Sequence, residues 1–206
     1  MDPKILIAIV IIIFVGDILF QAYQNKKRND LFQKLSKLLI DKDYKTFDEL
    51  IEAPETRKLF PAFNTAFLKL NEALLQNDAK KIDKAFDSFT MNMNKAQKEA
   101  LYKKGFYYYL SIEDKTKTDR YYEQLKQLNV KDQHILDVTY DTYIKKGYAY
   151  LEETLQQIKD LDDRQKMPYY ALLSDMYKNK GEEDKAKEYE KLVSEFTKKM
   201  MEGKEN

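Results

Sequence analysis

The sequence has no cysteine and no tryptophan, a single histidine, five glycines and four prolines among 206 residues. Without cysteine, structural disulfides, thiolate metal sites and cysteine nucleophiles are excluded. His134 stands alone, so the chain cannot assemble a histidine metal cluster or a Ser-His-Asp triad by itself. The glycines, at 16, 105, 147, 181 and 203, are too scattered to form a phosphate-cradling loop. A formal net charge of +1 lacks the basic excess that a polyanion selects, which argues against a nucleic-acid partner. Carboxylates are plentiful, but a run such as Asp160, Asp162 and Asp163 reads as a solvated loop. These absences point away from catalysis and from a bound metal or cofactor.

What is present favours helix. Few turn formers and 34% charged residues imply an all-α chain. The N-terminus departs from this polar average: Ile5 to Val15 is an unbroken run of eleven apolar residues, and apolar character resumes after Gly16 and Asp17 through Ile18, Leu19, Phe20, Ala22 and Tyr23. Nineteen helical residues rise about 28 Å, close to a hydrocarbon core of about 30 Å. The pattern predicts a short tail at 1–4 and a single transmembrane helix at 5–23. A cleaved signal peptide is the alternative, although Met-Asp-Pro-Lys is barely basic and no small-residue cleavage pair follows cleanly. Asp17 is affordable in such a span because the apolar run outweighs its insertion cost of about 3 kcal/mol. A pairing role with another membrane helix is its second reading. Lys26, Lys27 and Arg28 follow the apolar segment directly, so the positive-inside rule places the rest of the chain on the cytoplasmic side of a cell membrane. The same cluster is suited to anionic headgroups.

Beyond this point the sequence is periodic. Leu31, Ala66, Leu101, Leu136 and Tyr170 recur at steps of 35, 35, 35 and 34, and Leu38, Ala73, Tyr108, Tyr143 and Tyr177 repeat those steps seven residues later. Four residues further stand Lys42, Asn77, Ile112, Gly147 and Gly181, where a helix is expected to turn into an antiparallel partner. One helical hairpin cannot bury its own apolar face, so a period of this length implies stacked hairpins. Five are expected within 24–200, followed by a polar tail at 201–206. Pro54 is expected to end the second helix, Pro61 to lie in the first turn of the third, and the polar stretch 113–120 to delay a helix start.

In the last hairpin, Tyr170, Leu173, Ser174, Tyr177, Gly181 and Ala186 fall on the Trp, Leu, Gly, Tyr, turn-Gly and Ala slots of the tetratricopeptide repeat. This unit resembles that family. The others are looser: the Ala slot holds Phe47, Ile82, Lys117 and Glu152, the Gly slot Leu35, Leu70, Gly105 and Tyr140, and the closing proline is missing. The resemblance implies a right-handed superhelical array of about five antiparallel helix pairs whose first helices line a concave groove. Carried onto this sequence, the groove positions give an aromatic strip of Phe67, Tyr102, Phe106 and Tyr109, then Asp137, Asp141 and Ile144. A protein or peptide partner with an apolar and a basic portion would suit such a strip. The competing reading makes these aromatics seals between helices. Two function classes follow: a membrane-anchored scaffold or adaptor with a protein partner, or a structural subunit associated with other membrane subunits and lacking a free groove.

Overall fold

A computed structural model describes residues 23–202. Among them there is no strand, and the chain divides into two compact helical units between Asn94 and Lys95.

The first unit begins with α1, helical over 23–40, and continues through α2 (Tyr44–Glu52), α3 (Pro54–Leu59), α4 (Ala62–Gln76) and α5 (Ala79–Asp87). Its core joins Leu35 and Leu39 of α1 to Phe47 and Ile51 of α2, with Phe60 and Leu68. Ile82 and Phe86, four residues apart on α5, are buried as well. Such i and i+4 pairs put one stripe of each short helix inward and leave its lysines and acids in water. Pro54 does not simply stop α2: it occupies the first position of α3, where its missing N–H costs nothing.

The second unit contains α6 (Lys95–Ser111), α7 (Lys115–Leu128), α8 (Gln133–Tyr143) and α9 (Leu151–Gln157). A 3₁₀ turn (Ile158–Asp160), α10 (Asp163–Lys180) and α11 (Glu183–Glu202) follow. Its larger core unites Val138, Leu151, Leu172, Leu173, Met176, Tyr177 and Ala186. Ala186 is fully buried, and its carbonyl accepts a 3.1 Å hydrogen bond from the Ser174 hydroxyl, a contact that needs two small side chains where α10 and α11 meet. Gly105 serves the same end between α6 and α7, since a β-carbon there would lie 2.6 Å from the Tyr121 ring.

The turns share a local chemistry. Lys42, Asn77, Glu113, Lys146 and Gly181 all have left-handed backbone. At three of them the next N–H reaches back over the helix end, from Asp43 to Leu38, Asp114 to Tyr109 and Glu182 to Tyr177, which satisfies carbonyls that the helix leaves open. Aspartates then start the returning helices. Asp43 accepts from the Thr46 N–H, Asp78 from those of Lys80 and Lys81, and Asp114 from that of Lys117. The cap at Asp114 is why α7 begins at Lys115 and not late in the polar stretch 113–120.

The architecture expected from the sequence is corrected at its N-terminal end. Among the described residues no helix is long and apolar enough to cross a membrane. The physical reason is plain in α1, where Lys26, Lys27, Arg28, Asp30, Lys34 and Lys37 interrupt every apolar window. The span expected at 5–23, apart from Tyr23, and Asp17 within it lie outside the described residues, as does most of the tail at 201–206.

Candidate partner-binding surface

The expected aromatic strip does not form a surface. Phe106 and Tyr109 are buried, and Tyr109 stacks on Tyr121 with ring centroids 5.6 Å apart and planes 8° from parallel. Tyr102 is half-buried, 6.0 Å from the same Tyr121 ring. These side chains of α6 therefore seal it against α7, helped by the close approach at Gly105. Phe67 belongs to the first unit, half-buried between Phe63 at 5.4 Å and Phe89 at 6.5 Å.

The acidic end is also spent on the fold. Asp137 accepts hydrogen bonds from the Tyr122 hydroxyl at 2.8 Å and the Gln133 amide at 2.7 Å. Asp141 is buried and accepts from the Ala149 N–H at 3.1 Å. Its carboxylate lies so close to Gly147 that a β-carbon there would be 2.4 Å from an oxygen, so the glycine makes room for the loop to fold over the acid. Asn179 fastens that loop from α10, donating to the carbonyls of Thr142 and Gly147 at 2.9 and 3.0 Å.

The tyrosines around these acids titrate high for one shared reason. Burial, followed by a hydrogen bond to Asp119, pushes Tyr140 up to about 12. Burial and Asp137 raise Tyr122, and burial and Asp175 raise Tyr143. In the other direction, burial would lift the Asp119 carboxyl, but hydrogen bonds from Lys115 and Tyr140 outweigh it and hold the group below its usual range.

Ile144, one of the expected groove residues, lines a cleft. This cleft, about 380 Å³, opens within the second unit where the C-terminal ends of α6 and α8 come together. Tyr107, Leu110, Tyr143 and Ile144 make its apolar walls, and Glu113, Lys115 and Lys146 stand at its charged rim. Lys115 is engaged with Asp119 at 2.8 Å. Tyr107 is 45% exposed, and the two turns that bound the cleft carry Ile112 and Tyr148 at 50% and 47%. On α6 the exposed ring at this cleft is Tyr107, one residue from the buried Phe106, and one residue turns a helix by about 100°. Exposed Ile112 in a turn was the available signal, since turns otherwise favour polar residues.

Lys26, Lys27 and Arg28 are exposed on α1, with the Lys27 ammonium 4.7 Å over the Tyr23 ring and the Arg28 guanidinium donating to Asn25. Among the described residues no group of three or more acids or His could hold a metal ion. No family model, curated protein or solved structure matches the chain.

Proposed function

We propose that the chain is a non-catalytic, tetratricopeptide-like helical adaptor, and that the α6/α8 cleft receives an apolar segment of a protein partner. The observation that carries this reading is a preformed cleft walled by Tyr107, Leu110, Tyr143 and Ile144, with Tyr107 open to solvent. Large apolar side chains grouped at a concave site are what a partner anchor fills, and tyrosines contribute contact area at little cost in side-chain freedom. Glu113 and Lys146, which form no ion pair among the described residues, would orient the ends of the bound segment.

The test uses a photoreactive residue in place of Tyr107, with the same residue in place of Lys187 on α11 as control. A discrete crosslinked adduct at position 107, lost when Ile144→Ala is added at unchanged melting temperature, supports the cleft. Equal adducts at both positions, or none at 107, would refute it. A second reading, a subunit of a larger assembly, draws on Phe32, Ile40 and Leu75, which are exposed apolar residues of the first unit. Under that reading the adducts would come from first-unit positions instead.

A further inference from the structure

Helix α1 has two unlike faces. At 100° per residue, Leu31, Leu35, Leu38 and Leu39 share one sector, and this is the side that packs on α2 through Leu35 and Leu39. Lys26, Lys27, Lys34 and Lys37 fall in another sector about 100° wide, turned about 120° from the first. All four lysines are exposed, and none forms an ion pair among the described residues. Between Lys26 and Lys37 Asp30 is the one acid on that face, leaving that stretch a net charge of +3 from four lysines and one aspartate, and Asp41 follows just past the helix end. Tyr23 heads the same sector, 54% exposed, with the Lys27 ammonium over its ring.

We propose that this lysine face rests on an anionic lipid surface, with α1 lying along the headgroups. The face runs from Lys26 to Lys37, about 17 Å of helix, so its charges meet a plane of phosphates together and not one at a time. Long lysine stems reach out of such a plane while Tyr23, apolar in body and polar at its tip, suits the interface. The core is packed on the separate leucine sector, so contact through the lysines leaves the first unit's packing intact. Each lysine near an anionic leaflet strengthens attachment about fivefold, an effect confined to roughly one Debye length. A nucleic acid also carries phosphates, but an exposed tyrosine among lysines on one straight helix fits a flat interface better than a groove.

The experiment measures partition of the full chain into phosphatidylcholine vesicles with and without phosphatidylglycerol, and takes the ratio of the two. The ratio removes any apolar attachment that acts on both vesicles alike. The wild-type ratio should exceed one and fall as ionic strength rises from about 0.1 M to about 1 M, where the Debye length shrinks to about 3 Å. Lys27→Gln with Lys34→Gln should lower binding to the anionic vesicles about 30-fold and leave the neutral ones unchanged. Lys80→Gln with Lys84→Gln on α5, a change of equal charge, should leave the ratio near its wild-type value. A wild-type ratio of one, equal losses from both pairs, or full displacement from anionic vesicles by duplex DNA at matched phosphate would overturn the proposal.

Discussion

The two units solve one packing problem with different side chains. Of eleven phenylalanines, seven lie in 23–94 and two in 95–202; of sixteen tyrosines, two lie in 23–94 and fourteen in 95–202. The first unit accordingly closes mainly on hydrocarbon, with Phe47, Phe60, Leu35 and Ile51 in its core and Phe63, Phe67 and Phe89 in contact beside it, and its buried Thr56 hydroxyl donates to the Leu50 carbonyl. The second unit adds to its aliphatic core and Phe106 a set of rings that carry hydroxyls. A buried hydroxyl needs a partner, and carboxylates on neighbouring helices supply it: Asp137 for Tyr122, Asp119 for Tyr140 and Asp175 for Tyr143. The difference explains why the expected acidic groove is absent. Of the two aspartates that looked available for a basic ligand, Asp137 is taken by the Tyr122 hydroxyl and Asp141 by the Ala149 N–H.

The largest effect that could break this contrast is in the first unit. Phe86→Ala removes a buried ring with no polar atom and should cost about 3–5 kcal/mol in urea denaturation; a loss under about 1 kcal/mol would show that the site collapses and that the hydrocarbon core is not closely packed. In the second unit, Tyr122→Phe keeps the ring and deletes one donor to Asp137, so about 1.5–3 kcal/mol should be lost. A neutral result there would mean that Gln133 alone satisfies the acid.

Titration sharpens the same comparison. Tyr140 holds its proton to about 12 in the folded chain, against 10 for its ordinary value, so the folded state keeps a proton that the unfolded state gives up first. Its contribution is complete below pH about 10 and is lost as pH rises to about 12. Urea midpoints measured across that window, with and without Tyr140→Phe, should converge at the alkaline end. The smallest effect concerns the turns. Lys42→Gly in the first unit and Glu113→Gly in the second each relieve a left-handed non-glycine residue, and each should raise stability by at most about 1 kcal/mol. A gain in one and a loss in the other would show that the two turns differ in more than backbone strain.

How far this could be read from the sequence varies with the element. Lys42, Asn77 and Gly181 were placed at turns by period alone, and the structure finds left-handed backbone at all three. Turn chemistry is local, so it survives in sequence. Leu35, Ile82, Phe86, Leu101, Leu136 and Leu173 recur on regular spacings and are buried. The face of α6 was not legible, because Phe106, Tyr107, Tyr108, Tyr109 and Leu110 are consecutive and point in every direction around the helix. Periodicity cannot orient a helix that is apolar all round, and only the close approach at Gly105 settles which rings go inside. The roles of Asp137 and Asp141 were equally hidden, since their donors Tyr122 and Ala149 lie fifteen and eight residues away.

The stacked pair Tyr122 and Tyr140, with centroids 3.9 Å apart, is bonded crosswise: the tyrosine of α7 to an acid of α8, and the tyrosine of α8 to an acid of α7. A greasy contact between two helices tolerates sliding, because one methyl replaces another at small cost. This exchange does not. Shifting α7 against α8 by one turn, about 5.4 Å, would part both hydroxyls from their carboxylates at once, leaving the acids only Gln133 and Lys115 on their own helices. The pair therefore acts as a two-pin latch on alignment, and a helix from another copy of the chain could replace either partner only by presenting both pins at the same spacing.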